Sequence, residues 1–92
     1  RYKMYRVEFT RRFSKDFKKY SRSGIDFEEK LYDIIGFLKS NSPLPERYND
    51  HKLNGEWDGY RECHILFDLL LIYKCCDEYV ELATLGTHDD SF

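Results

Sequence analysis

The sequence predicts an α+β fold in which a two-helix hairpin packs on one face of an antiparallel sheet. Three observations support this prediction. Residues 5–10 alternate apolar and polar side chains, residues 11–40 repeat apolar side chains at helical spacing around one break, and residues 60–84 hold three short β-type segments. The resulting order is β-α-α-β-β-β, with the last three strands forming an antiparallel meander.

The first strand and the first helix follow from a change of period. Tyr5, Val7 and Phe9 alternate with polar residues, as expected for a half-buried strand over residues 5–10. From residue 11 to residue 21 the apolar spacing becomes helical, and the helix gains an apolar stripe made of Phe13, Phe17 and Tyr20.

The second helix follows a break at Ser23-Gly24. Asp26 with Glu29 has the form of a capping box, which predicts a helix start there and an end near Ser40. So short a break predicts that the two helices form an antiparallel hairpin. The apolar positions of this second helix are Phe27, Leu31, Ile34, Ile35 and Leu38.

Residues 41–59 hold both prolines and two glycines, and we expect a loop there. Three strands follow, with a turn at Phe67-Asp68 and another at residues 76–78. Alternation along the first of them places Glu62 and His64 on the sheet face away from the helices. The three predicted strands are Tyr60–Ile65, Leu69–Lys74 and Tyr79–Thr84.

The size and composition predict one globular domain over residues 1–92, because 41% of the residues are apolar and 35% are charged. No apolar run approaches the roughly 20 residues of a membrane span, and no signal peptide is recognisable. Cys63, Cys75 and Cys76 are odd in number and lack a C-x-x-C pair, so we expect free thiols, a cytoplasmic protein, and neither a metal site nor a cofactor.

The charge is strongly asymmetric although the net charge is only -2. Residues 1–24 hold nine basic and two acidic residues and carry +7, whereas the rest holds six basic and fifteen acidic residues and carries -9. One side of the first helix is basic, and it is either an ordinary solvated face or a face that contacts RNA phosphates. Its residues are Arg11, Lys15, Lys18, Lys19 and Arg22.

The three histidines, His51, His64 and His88, are candidates for acid–base chemistry on RNA. Cleavage without a metal needs a base for the ribose 2′-hydroxyl, an acid for the leaving 5′-oxygen and a donor for the phosphate charge. Histidine titrates near neutral pH, and Asp68 or Glu62 could orient an imidazole. Spacing alone leaves unrelated surface and core histidines as the alternative. The candidate cations are Arg61, Lys74 and Lys52.

Several segments together resemble the YafQ branch of the RelE/ParE toxin superfamily over nearly the whole chain. The similar segments are PLPERYNDHKLNGEWDGYRECHI, LLLIYK and LGTHDDSF, together with the early T-x-x-F-x-K-D of residues 10–16. The Asp50-His51 loop and the Gly86-Thr87-His88 tail with its closing Phe92 are the most specific parts.

The resemblance implies a RelE-like fold and a metal-independent endoribonuclease toxin of a type II toxin–antitoxin system. Such toxins cut mRNA, typically in the ribosomal A site, and a cognate antitoxin protein silences them. The resemblance places His51 as base or positioner and His88 as acid. By the same resemblance, His64 and Asp68 would bind and orient the phosphate, and Phe92 would pack on a base. Glu62 is an added candidate on the same strand face, and the basic helix and Arg61 would contact RNA.

Two positions depart from the family pattern. Thr84 stands where close relatives often have Arg, and Leu69 stands where they often have Trp. Loss of the arginine would remove a cation from the developing phosphorane. Two alternatives therefore stay open: a ParE-like toxin that binds a protein target, and a degenerate member that only binds an antitoxin.

Overall fold

The computed structural model describes residues 4–91, which form one five-stranded sheet with helices packed on one face. The strand order across the sheet is β1-β5-β4-β3-β2. An α+β architecture is therefore confirmed. The strands are β1 (Arg6–Phe9), β2 (His51–Lys52), β3 (Arg61–Leu66), β4 (Leu69–Cys75) and β5 (Tyr79–Gly86).

Two helices lie between β1 and β2, and a third, short helix follows β5. Two 3₁₀ turns interrupt the segment that was predicted to be a loop. No helix among residues 4–91 is both long enough and apolar enough to cross a bilayer. The helices are α1 (Arg11–Ser21), α2 (Glu28–Lys39) and α3 (His88–Ser91), and the 3₁₀ turns are Glu46–Tyr48 and Gly55–Trp57.

The bounds of α1 match the sequence prediction, and a side chain explains where it begins. The Thr10 hydroxyl accepts the backbone N–H of Phe13 and so caps the first turn. The capping box predicted for α2 is wrong. That helix begins at Glu28, and its N-cap, Phe27, makes no side-chain cap. Because the Phe27 side chain is fully buried, core packing fixes the start of α2.

The sheet is mixed, whereas the sequence analysis predicts an antiparallel sheet. β1 pairs in parallel with β5, with Arg6 opposite Tyr79 and Phe9 opposite Leu82. The other strand pairs are antiparallel, which confirms the C-terminal meander. Periodicity shows which residues form strands but carries no information on which strands become neighbours, so the direction of β1 was missed.

A short strand also lies in the segment predicted to be a loop. β2 pairs antiparallel with β3, with His51 opposite Glu62 and Lys52 opposite Arg61. Two residues are too few to show a period of two, and this pairing depends on β3 being in place. The consequence is that His51 belongs to the sheet.

The core lies between the helices and one sheet face. It is built from large side chains of both helices and all the longer strands, with Phe27, Ile34 and Leu71 completely buried. Leu70 and Ile72 alternate to the opposite face of β4 and are also completely buried. This confirms the prediction that this strand is buried on both faces.

Beyond the end of β1, the exposed edge of β5 is closed by α1. The Asp16 carboxylate accepts the Thr84 hydroxyl at 2.8 Å and the backbone N–H of Leu85 at 3.1 Å. Asp16 therefore satisfies a strand donor that β1 does not reach.

Candidate active site

Three imidazole rings lie in a row on the structure. The ring centroids of His51 and His64 are 6.4 Å apart, and those of His64 and His88 are 6.1 Å apart. The row forms because His51 of β2 is registered with Glu62 of β3, two residues before His64 on the same strand face. His88 joins from the first residue of α3. Histidines 37 positions apart in sequence are thus brought into one site.

His51 is held through both ring nitrogens. Its Nδ1 lies 2.8 Å from the backbone carbonyl oxygen of Asn49, so the Nδ1–H donates. Its Nε2 lies 3.0 Å from a carboxylate oxygen of Glu62. Two acceptors on one imidazole are satisfied together only when a proton also lies between Nε2 and Glu62. The pair is therefore arranged to hold and transfer a proton.

His64 lies at the centre of the row, and Asn49 connects it to His51. The Asn49 side-chain amide donates to Nε2 of His64 at 3.4 Å, which leaves the ring proton on Nδ1. Asn49 has left-handed backbone angles, with φ 49°. This conformation, which Asn tolerates better than most residues, directs its carbonyl to one imidazole and its amide to the other. Sequence reasoning missed Asn49.

His88 is fixed by Asp68, which lies in the turn between β3 and β4. The Asp68 carboxylate accepts Nδ1–H of His88 at 2.5 Å and the backbone N–H of the same residue at 3.2 Å. Nε2 is the ring nitrogen that Asp68 does not engage. A carboxylate on one ring nitrogen and a reacting oxygen on the other is an arrangement suited to general acid–base chemistry.

Behind His51 lies a polar cluster made of Asp50, Arg61 and Tyr73. Arg61 donates to the Asp50 carboxylate from Nη2 at 2.9 Å and from Nε at 3.1 Å, and the Tyr73 hydroxyl donates to the same carboxylate at 2.5 Å. The hydrogen bond that Arg61 donates to Asp50 raises the pKa of Arg61. Burial, reinforced by Asp50, raises the pKa of Tyr73. Asp50 thereby fastens β2 to the sheet one residue before His51.

This cluster bears on the predicted RNA contact of Arg61. Its side chain points to the same face as Cys63 and Ile65, as alternation requires, and is paired with Asp50. The RNA contact stays a prediction that this pairing disfavours. Phe92, the predicted base-packing residue, lies outside the described residues.

The basic face of α1 is exposed, and one end of it lies close to the histidines. The Tyr20 hydroxyl accepts the backbone N–H of Thr87, the residue before His88. The Lys19 ammonium lies 5.2 Å from the centre of the Tyr20 ring. The last turn of α1 is therefore adjacent to the site. The exposed basic residues are Arg11, Lys15, Lys18, Lys19 and Arg22.

The two departures from the family pattern occupy packed positions. Thr84 is completely buried, and its hydroxyl donates a hydrogen bond to the Asp16 carboxylate of α1 at the sheet edge. Leu69 is buried in the core at the start of β4. Among residues 4–91, no three His, Cys, Asp or Glu side chains are grouped so as to hold a metal ion.

Comparisons with known proteins give a consistent result. The sequence model of the family described as bacterial toxin of type II toxin-antitoxin system, YafQ, matches residues 5–92. The mRNA interferase toxin YafQ of Escherichia coli K12 is 35% identical over 82 residues, covering 89% of each chain.

Solved structures agree over the same length. The toxin in the E. coli DinJ-YafQ complex is 37% identical, with a TM-score of 0.87 over 96% of this chain and 98% of that one. A copper-bound mutant toxin from Helicobacter pylori is 36% identical, with a TM-score of 0.92 over 97% of this chain and 100% of the other.

Proposed function

This chain belongs to the YafQ family of bacterial type II toxin–antitoxin toxins, and on that premise we propose that it is an endoribonuclease that cleaves mRNA. The observation that carries the proposal is the row of three imidazoles, in which His51 is paired with Glu62 and His88 with Asp68. Two imidazole–carboxylate pairs flanking a central imidazole supply a base, an acid and a phosphate donor at one place.

The chemistry is an in-line transfer at phosphorus. The Glu62 carboxylate, held by His51, takes the proton from the ribose 2′-hydroxyl, and the 2′-oxygen attacks the neighbouring phosphorus. The bond from phosphorus to the 5′-oxygen breaks, and His88 gives its Nε2 proton to that oxygen. The products are a 2′,3′-cyclic phosphate and a free 5′-hydroxyl.

The charge on the phosphate is stabilised by groups that face the site. His64 lies between the two proton-transfer groups and donates to a phosphate oxygen. Residue 84 supplies no cation, since Thr84 is bonded to Asp16. The positive charge therefore comes from the imidazole of His51, whose partner Glu62 becomes neutral when it takes the 2′-hydroxyl proton, and from the last turn of α1.

The partners follow from the same family. The E. coli relative forms a complex with the antitoxin DinJ, and we assign this chain a cognate antitoxin protein of its own. Its substrate is mRNA on the ribosome in the cytoplasm, where the basic face of α1 contacts rRNA phosphates. Residues 1–92 act as one toxin domain. The histidine row has no use in a ParE-like toxin that only binds a protein, so it favours the nuclease.

Primer extension on a defined mRNA, with and without ribosomes, tests the proposal. Wild-type protein should cut at discrete positions, and His88→Ala should lower the rate at least about a hundredfold, since general acid catalysis contributes that much. Lys39→Ala, at the exposed end of α2, is the control variant and should cut normally.

Circular dichroism and thermal unfolding establish that both variants are folded. Cleavage by His88→Ala at the wild-type rate would remove His88 from the mechanism. Growth arrest with intact mRNA and damaged DNA would instead support a ParE-like toxin, and normal growth without the antitoxin would support a degenerate member.

A further inference from the structure

A cleft of about 490 Å³ opens against His64, outside the histidine row. The end of β3 and the following turn form one wall, the segment Arg47–Asn49 forms another, and the N-terminal half of α2 forms the third. This volume is within the range of small-molecule sites and accommodates one nucleobase with its ribose. Because His64 lines both the cleft and the row, a nucleotide in the cleft is adjacent to the scissile phosphate.

Phe67 borders this cleft with an unusually exposed ring. Its side chain is 92% exposed, more than that of any other large apolar residue among residues 4–91. It lies in the β3–β4 turn immediately before Asp68, the residue that holds His88. Proteins that bind single-stranded RNA present aromatic faces on which unstacked bases pack. A free aromatic ring beside the site therefore fits a base.

The charges in the cleft favour a base over a phosphate. Lys30 and Arg47 are balanced by Glu29 and Asp33, so a phosphate inside would lie beside two carboxylates. Carboxylate and amide oxygens instead accept from the amino groups on base edges. Asn49 donates its amide to His64, which leaves its side-chain oxygen as an acceptor.

We propose that this cleft binds one base of single-stranded RNA next to the cleaved bond, with the base stacked on Phe67 and its amino edge toward Asp33 and Asn49. Adenine, cytosine and guanine carry such an amino group and uracil does not, so the cleft selects against uracil. This inference rests on the proposed nuclease function and adds a specificity-determining residue to it.

A cycle of protein and RNA changes tests the stacking. The protein carries His88→Ala so that the RNA stays intact, and binding of a fluorescein-labelled single-stranded oligoribonucleotide is followed by anisotropy. Phe67→Ala should weaken binding at least about fivefold, whereas Phe67→Trp should preserve it. Tyr32→Ala, which removes another exposed aromatic ring outside this cleft, is the matched control and should leave binding unchanged.

An abasic nucleotide is then moved along the RNA. At one position the abasic nucleotide should weaken RNA binding when Phe67 is present and have no effect in Phe67→Ala. RNA with uracil at that position should bind less tightly than RNA with adenine, cytosine or guanine there. The inference is overturned if no position shows this dependence, or if RNA binding is undetectable. Equal binding of uracil overturns the amino-edge selection. Cleavage by the protein with His88 intact is a separate readout, so RNA that binds but is never cut counts against the nuclease function and not against the base site.

Discussion

Asp68 binds His88 at two points, through Nδ1 of the ring at 2.5 Å and through the backbone N–H at 3.2 Å. The two bonds fix both the start of α3 and the plane of the imidazole. The β3–β4 turn thus positions a side chain that comes 20 residues later in the chain. The turn is therefore part of the candidate active site as much as the strands are.

Asp68→Asn should lower kcat about tenfold to a hundredfold and change KM little. The amide preserves the size of the side chain but lacks the charge that supports a protonated His88, so part of the acid contribution is lost. Steady-state cleavage kinetics measure kcat and KM separately. Asp77→Asn, in the exposed β4–β5 turn, is the matched control. A large rise in KM with kcat unchanged would mean that Asp68 binds substrate and does not orient His88.

Asp50→Ala should lower the free energy of unfolding by about 1–3 kcal/mol, because Arg61 and Tyr73 lose their shared acceptor. Urea denaturation measures this loss. At urea concentrations where the variant is fully folded, its cleavage should still be slower, since β2 no longer holds His51 in place. Glu8→Ala breaks an exposed pair with Arg6 and should cost less than about 1 kcal/mol. Equal costs in the two variants would contradict the role given to Asp50.

The free energy of unfolding should fall as the pH rises above about 8.5, and more steeply above about 10. Burial raises the pKa of Cys63 and of Tyr73 in the folded protein. The unfolded chain therefore loses these protons first, and the stability present below the unfolded pKa is lost as the pH rises. Urea titrations between pH 7 and pH 10.5 measure the slope. Tyr73→Phe should flatten its upper part, whereas the exposed Tyr32→Phe should not.

Lys19→Ala should raise KM for mRNA severalfold with little effect on kcat. It should also reduce the slope of log(kcat/KM) against log[salt] by about one, because one phosphate contact is lost. Lys19 lies over Tyr20, whose hydroxyl accepts the backbone N–H of Thr87, next to His88, so its charge is close to the histidines. Lys39→Ala removes an equal charge from α2 and should leave the salt slope unchanged. An unchanged slope in Lys19→Ala would show that this part of α1 is a solvated face.

The local sequence pattern was sufficient to predict those helices and strands whose apolar residues recur with a clear helical or alternating period. The bounds of α1, the alternation along β3 and the two-sided burial of β4 all agree with the sequence prediction. The two-residue β2 and the parallel pairing of β1 with β5 were missed because each depends on distant segments.

The candidate site shows the same division. The histidines and Asp68 were recognisable by residue type and family pattern, and the structure brings them together. The roles of Asn49 and Asp50 were not predictable in the same way. Asn49 acts through the direction of its backbone, which places its carbonyl and amide against two histidines. Asp50 acts through side-chain hydrogen bonds from Arg61 and Tyr73 on other strands. The only local signal for Asn49 is the tolerance of asparagine for left-handed backbone angles.

The parallel pairing of the first strand with the last has a consequence for a chain still under synthesis. Thr10 donates its hydroxyl to the carbonyl oxygen of Ala83, 73 residues later, and β1 has no sheet neighbour before β5 emerges from the ribosome. Pairings this distant form late in folding. The nascent toxin thus gains its first strand's partner and its third imidazole almost together, so the row of imidazoles cannot form until both β5 and His88 have been synthesised.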